Sequence, residues 1–335
     1  MGAASRPVPY PPSWEECLQA SRSQHVALVE TALASGGAAR SALVASWQRS
    51  VTLHRLHPEQ HTPPKQLSEP ELVRIREPLQ RLMSVAGDTL DRLYAAVGGI
   101  GCCVLLADAS GIPIERRGAA ADDATFRDWG LWTGTVWSEE SEGTNGIGTC
   151  LVEERGVTIH RDQHFFSRNT LLSCTTAPVF DHEGRLVAAL DVSSCRKDLT
   201  LEFAQLIALS VNEAARRIEN DNFRSVFAGE RILLSPATER GPGGLVAVDR
   251  HDLIVGATRG ARLSQDMSAL VDGRPLPADN IFGEAEDDLE SAERATVLRA
   301  LARNGNQVSA AARSLGISRA TLHRKLNRLN IGRHH

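Results

Sequence analysis

Residues 304–331 read NGNQVSAAARSLGISRATLHRKLNRLNI, and the spacing of their apolar side chains sets the architecture of the carboxy-terminal end. Val308, Ala311, Ala312 and Leu315 fall at i, i+3, i+4 and i+7, the period of one helix face. Gly316 supplies a tight turn, and Ser318 stands as an N-cap before another helix, whose Leu322, Leu326 and Leu329 form an inward stripe. Upstream, Leu289, Val297, Leu298 and Leu301 line a helix that closes at Asn304, Gly305 and Asn306, with Gly305 suited to the left-handed conformation. With a turn of about 100° per residue, the face opposite the three leucines of the last helix carries Ala320, His323, Arg324, Asn327 and Arg328, flanked by Arg319 and Lys325.

The charge is as uneven as the pattern. From Glu290 to His335, eight Arg and one Lys stand against two Glu, a local formal charge of +7, which leaves −11 on the rest of a chain whose total is −4. A basic end on an acidic body suggests that the end alone meets a polyanion. A three-helix scaffold with a solvated basic face is the plainer alternative. Spacing, turn glycine, cap and charge agree in favouring double-stranded DNA, because a helix offering Arg, Asn and small methyl-bearing residues fits the major groove.

This stretch resembles the Fis-type helix-turn-helix that ends bacterial enhancer-binding regulators, carried by A-A-R-x-L-G-I-S-R-A-T-L-x-R-K-L from Ala311 to Leu326. The resemblance implies that Ser318 to Arg324 read bases: Ser318, Arg319, Ala320, Thr321, His323 and Arg324, with Lys325, Asn327 and Arg328 completing the DNA-facing set. The family more often has Tyr where this chain has His323, which leaves base preference open.

Towards the amino terminus, Leu67, Leu72, Ile75, Leu79, Leu82, Met83 and Leu90 mark helix, leading into the apolar run from Gly101 to Asp108 that suits a buried strand. Asp108 to Gly111 turns the chain into a second strand, Ile112 to Arg116. Leu172 to Phe180 and Arg185 to Val192 flank the turn at residues 181–184 in the same manner, so helices around antiparallel hairpins give an α+β domain. A long helix follows from Leu199 to about Phe227, and residues 244–256 suggest one more hairpin.

Residues 46–224 resemble the GAF domain of acetoin-catabolism-type regulators, on Ser46-Trp47-Gln48-Arg49-Ser50, Glu142 to Thr149 (EGTNGIGT), His164-Phe165, Cys174 to Pro178 and Leu190-Asp191-Val192. The resemblance implies a small-molecule effector held between sheet and covering segment. Cys103, Trp137, Thr144, Asn145, Gly146, His164 and Cys174 are the candidate ligand-binding residues. The glycines from Gly143 to Gly148 either let backbone approach another group closely and offer free N–H groups, or only shape a tight connection. Trp129, Trp132 and Trp137 form either a pocket wall or core.

Several classes of chemistry find no support. The three lysines, Lys65, Lys197 and Lys325, never follow glycine, so the G-K-[ST] of a nucleotide-phosphate loop is absent. About 60 residues separate the long helix from the helix-turn-helix, too few for the ATPase domain that regulators resembling both ends carry there. Six scattered cysteines lack a C-x-x-C pair and read as reduced, buried thiols. His160 and His164, four apart, would share a helix face but lack a third ligand, so no metal and no cofactor is expected, and His54, His57 and His61 read as solvated loop. With no apolar run long enough for a bilayer and no secretory signal, a cytoplasmic protein without membrane contact is expected, nucleoid-associated when bound.

The expected organisation is a helical and Pro-rich segment at 1–66, an α+β GAF-like sensory domain at 67–227, a PAS-like remnant at 228–271, a flexible linker at 272–288 and an all-α helix-turn-helix domain at 289–335. The function expected is that of a ligand-responsive, homodimeric, non-enzymatic transcription regulator occupying an inverted-repeat operator, with RNA polymerase or a related full-length regulator as a further partner. Two alternatives stand beside it: an interaction subunit that modulates an ATPase-bearing relative, and a thiol catalyst using Cys103, Cys150 and Cys174.

Overall fold

The computed structural model describes residues 14–60, 62–267, 270, 276–282, 289–305, 307–329 and 331. Most of the expected linker at 272–288, the Pro-rich start and His61 lie outside the described residues. The chain forms two compact units, Met1–Asp272 and Gly273–His335.

In the larger unit α1 (Trp14–Ala34) and α2 (Ala42–Gln48) come first, and a π-helical turn, Arg49–Leu53, continues α2. Ser41 caps α2 by accepting from the Val44 amide. Next comes α3 (Glu69–Arg76), opened by a capping box in which Glu71 Oε2 accepts from the Ser68 amide at 2.8 Å. Pro78 lacks the amide hydrogen that α-helical continuation needs, and residues 77–79 tighten into a 3₁₀ turn before α4 (Gln80–Val97).

Five strands form one antiparallel sheet: β1 (Cys103–Asp108), β2 (Pro113–Arg117), β3 (Val157–His160), β4 (Ser173–Phe180) and β5 (Leu186–Ser194), in the order β2-β1-β5-β4-β3. Both hairpins expected from the sequence are present. Every residue of β1 is buried, because the sheet is covered on both faces.

On one face Val104 and Leu106 pack against Leu82, Ala86, Leu90 and Leu93 of α4 and against Ile207, Val211 and Ile218 of the long helix. On the other, Cys103, Leu105 and Ala107 meet Phe126, Leu131, Trp137, Ile147 and Cys150. That second layer holds three short helices, α5 (Asp123–Asp128), α6 (Glu139–Glu142) and α7 (Gly146–Glu153). The long helix is α8 (Leu201–Val226), capped by Thr200. Each fully buried Leu or Ile in these layers stabilises the fold by about 1.5–3 kcal/mol. The α+β class read from the sequence is the class observed.

Beyond α8, β6 (Arg231–Ser235), β7 (Gly244–Val248) and β8 (Leu253–Ala257) pair antiparallel in sequence order, followed by α9 (Arg259–Ser264). The hairpin expected at 244–256 is therefore extended by a strand that the sequence pattern does not announce. Phe223 of α8 packs on Leu245 and Ala247, tying this layer to the end of the helix.

The smaller unit contains α10 (Leu289–Arg303), α11 (Val308–Ser314) and α12 (Arg319–Arg328). Val297, Ala300, Ala311, Ala312, Leu322, Leu326 and Leu329 are its buried core. One expectation changes: Leu298, assigned to the inward stripe of α10, is 43% exposed, and Ala300 takes its place.

Candidate functional site

The turn between α11 and α12 is built locally. Gly316 adopts φ +67°, and the amides of Gly316 and Ile317 donate to Arg313 and Ala312 carbonyls, closing α11. Ser318 Oγ accepts from the Thr321 amide at 3.1 Å and starts α12. Leu322 and Leu326 point into the core, which turns Arg319, Ala320, Arg324, Asn327 and Arg328 outward, while Thr321, His323 and Lys325 are half-buried. The cations of this face divide into two kinds. Lys325 and Arg328 both pair with Glu293 of α10, whereas Arg319 and Arg324 have no ion pair among the described residues.

All seven candidate ligand-binding residues lie in the buried interior of the α+β domain. Cys103 and Trp137 belong to the layer beside β1. Asn145 caps α7, its Oδ1 accepting from the Gly148 amide at 2.8 Å. Gly146, the first residue of α7, rests on the sheet so closely that a Cβ there would lie 2.6 Å from Cys174 Cβ and from Thr176 Oγ1.

His164 Nδ1 sits 3.0 Å from the Arg161 carbonyl, which can only accept, so the proton is on Nδ1. Nε2 is then free to accept from the Cys174 thiol at 3.3 Å. Burial holds His164 down at about 4, consistent with this neutral ring. The chain of polar groups continues through Ser193 Oγ, 3.1 Å from Cys174 Sγ, to Asp191, which accepts from Ser193 at 2.6 Å and from Thr176 at 2.5 Å. Asp191 is fully buried with hydroxyl donors alone, and burial lifts its carboxyl to about 6.

Thr144 turns away from this chain. Its Oγ1 lies 2.7 Å from Ser46 Oγ, which also donates to Glu139 Oε2 at 2.7 Å. Arg49 donates to Glu139 at 2.5 Å and pairs with Glu153 at 2.9 Å, and Trp47 Nε1 donates to the Gln163 carbonyl at 3.0 Å. The Ser46–Ser50 motif thus docks onto the glycine-rich turn. Glu139 carries this junction and was not among the residues selected from sequence, while Thr149, the last residue of the EGTNGIGT run, lies with its Oγ1 3.3 Å from Ser46 Oγ.

His160 ends β3, with Ser173 Oγ 2.6 Å from its Nδ1, and His164 follows a 3₁₀ turn, so the two never share a helix face. Among the described residues no three His, Cys, Asp or Glu side chains are grouped to hold a metal. The thiols are poorly disposed to ionise: burial pushes Cys103, Cys150 and Cys174 well above the ordinary thiol range, and Cys102 to about 11. No described helix is long and apolar enough to cross a membrane.

Residues 17–219, more than half of the chain, match the family described as the MimR N-terminal domain. The chain belongs to this family. Residues 288–329 match the bacterial regulatory protein, Fis family. Among relatives, the acetoin catabolism regulatory protein of Cupriavidus necator is 36% identical over 222 residues, 65% of this chain and 33% of that protein. The propane 2-monooxygenase operon transcriptional activator MimR of Mycolicibacterium smegmatis is 28% identical over 218 residues, 63% of this chain and 35% of that protein. The chain therefore spans about a third of the length of these curated relatives. A chain of the E. coli DhaR(N)-DhaL complex superposes with a TM-score of 0.50 at 16% identity, covering 70% of this chain and 86% of that one, which shows a shared fold.

Proposed function

We propose that this MimR-family chain is an effector-responsive transcription regulator that acts by occupying DNA, without hydrolysing ATP. The observation that carries the reading is α12: capped by Ser318, seated on an apolar core, and turning the cations of Arg319 and Arg324 outward beside Ala320 and Asn327. A helix so presented fits the major groove, with Arg324 placed to read guanine through two parallel hydrogen bonds. The acidic remainder of the chain keeps non-specific attraction to phosphate confined to this end.

Two copies related by a two-fold axis would read half-sites of an inverted repeat about 34 Å apart. Exposed Leu206 and Leu209 on α8, 61% and 71% accessible, support assembly through the GAF-like domain. An effector bound there changes DNA affinity only by preferring one dimer arrangement over another. The raised thiols count against the thiol-catalyst alternative. Copurification of this chain with an ATPase-bearing relative, in place of a homodimer, would favour the interaction-subunit alternative.

The test is genome-wide mapping of sites occupied by the full chain, repeated with Arg324→Ala. Recovery of one sequence motif, relaxed at a single position by the substitution, is the expected result. An occupancy map indifferent to Arg324 would remove the reading.

A further inference from the structure

Arg116 of β2 is paired in register with Leu105 of β1. Directly opposed residues of antiparallel strands point to one face, and Leu105 lies in the apolar layer of Cys103, Phe126 and Trp137. A guanidinium is therefore held against a wall otherwise built of apolar and aromatic groups, its side chain only 10% exposed. Nη1 donates to Asp123 Oδ1 at 2.9 Å. The cation sits 4.2 Å from the Trp132 ring centre and 5.4 Å from that of Phe126. Nε and Nη2 are also buried, yet neither has an acceptor among the described residues.

Those two nitrogens form one edge of the guanidinium. Their N–H bonds run side by side, spaced for the two oxygens of a carboxylate. Gly118 lies against the guanidinium, since a Cβ at this position would lie 2.3 Å from Nη2, 2.7 Å from Cζ and 3.1 Å from Nη1, so the bare glycine lets the fork keep its place. The Arg116 charge is also felt deeper in the layer, where it opposes the upward push that burial and Asp191 exert on the Cys103 thiol.

We propose that Arg116 anchors a binding site for a small organic carboxylate, whose oxygens take the Nε and Nη2 hydrogens while its carbon skeleton lies against Trp132 and Phe126. This deepens the effector-responsive reading above, on which it rests, by naming the chemical class of the effector. Both donors are shielded from solvent, so the packing around them has to yield before a carboxylate reaches them, and association is slower than simple encounter. A neutral amide offers one acceptor oxygen where the fork requires two.

The test uses the full chain, with formate, acetate, butyrate and benzoate as probes beside formamide, acetamide, butyramide and benzamide at constant ionic strength. Binding is read by calorimetry and by tryptophan fluorescence, for which Trp132 is the adjacent reporter. At least one carboxylate is expected to bind saturably where its amide does not. Arg116→Lys keeps the charge but loses the fork, and should weaken that carboxylate tenfold or more with an unchanged circular dichroism spectrum. Gly118→Ala, whose methyl would push the guanidinium out of its place at Nη2, should do the same with Arg116 itself unchanged, and decides the matter should Arg116→Lys fail to fold.

No saturable response to any of the four carboxylates, or equal affinity in wild type and both variants, overturns the proposal and leaves water as the acceptor. DNA binding is measured on the same preparations without carboxylate. For the wild-type chain, no carboxylate binding with DNA binding intact sinks this site alone, whereas carboxylate binding in a chain that ignores DNA sinks the regulator and spares the site.

Discussion

Thr176 and Asp191, opposed in register on β4 and β5, meet at 2.5 Å with the threonine hydroxyl donating to a carboxylate that has no solvent contact. Ser193 supplies the second donor, and Arg116 on the same sheet is engaged elsewhere, by Asp123. Two neutral hydroxyls solvate a buried negative charge incompletely. That imbalance makes Asp191 and His164, at the two ends of one hydrogen-bonded chain, opposite contributors to stability as pH changes.

Asp191 is lifted to about 6, above its unfolded value. Its protonated form favours the fold, so its contribution is complete below the unfolded pKa and is lost as pH rises through about 6. His164, depressed to about 4, behaves in the reverse sense: its contribution is complete above the unfolded value and is lost as pH falls towards 4. Comparing Asp191→Asn with wild type cancels His164. The variant is expected to lose about 2–3 kcal/mol relative to wild type on going from pH 7 to pH 4, read by urea unfolding at both values. A difference that does not move with pH would show that Asp191 carries no strained charge.

The junction of Ser46 with Glu139 gives a second expectation. Glu139 is 1% exposed at its side chain and holds both Ser46 and Arg49. Glu139→Ala leaves Arg49 with Glu153 alone and Ser46 with Thr144 and Thr149, at a cost of about 1–3 kcal/mol. A double-mutant cycle of Ser46→Ala with Glu139→Gln should give a coupling of about 1–2 kcal/mol. Additive effects would mean that the Ser46–Ser50 motif does not fasten the amino-terminal helices to the glycine-rich turn.

Glycines separate into those that permit contact and those that merely occur. Gly146→Ala would drive a methyl into Cys174 and Thr176, so a loss of about 2–4 kcal/mol is expected in thermal unfolding. Gly87, inside α4, has open space where a side chain would begin, with no neighbouring atom within 4 Å, and should respond in the other direction, Gly87→Ala gaining about 0.5–1 kcal/mol. Similar responses at the two positions would refute the close approach of α7 to the sheet.

These particulars show where sequence reading succeeds. The carboxy-terminal helices, α8 and the two hairpins of the five-stranded sheet follow from local period and turn chemistry, which neighbouring residues specify among themselves. β6 escapes such reading because Ile232, Leu233 and Leu234 form a short apolar run without alternation, and its pairing with β7 decides it. The close-approach reading of the Gly143–Gly148 run fits the geometry, although its neighbours are protein groups: Cys174, Thr176 and the Glu139 amide. Ser46 and Glu139 stand 93 positions apart, and no local pattern joins them. Arg116 stays invisible for a related reason, since a charged residue in a strand reads as outward until the register places it beside Leu105.

Glu293 gives the last expectation, because it holds Lys325 and Arg328 from α10 and so neutralises two cations of α12 that would otherwise be free for duplex phosphate. Ion pairs with this much solvent access are weak, and duplex phosphate competes for both cations. Glu293→Gln should therefore strengthen binding to every duplex alike and steepen the slope of log affinity against log salt by about 1 to 2, one step per cation released. Lys325→Ala alone should change that slope by less than one full contact, since its ammonium is already engaged. Arg324→Ala, with no carboxylate to replace, should cost about 1–3 kcal/mol at the cognate sequence and little elsewhere. Titrations of the full chain against specific and scrambled duplexes at several salt concentrations measure all three, and a Glu293→Gln slope equal to wild type would mean that Glu293 does not withhold Lys325 and Arg328 from phosphate.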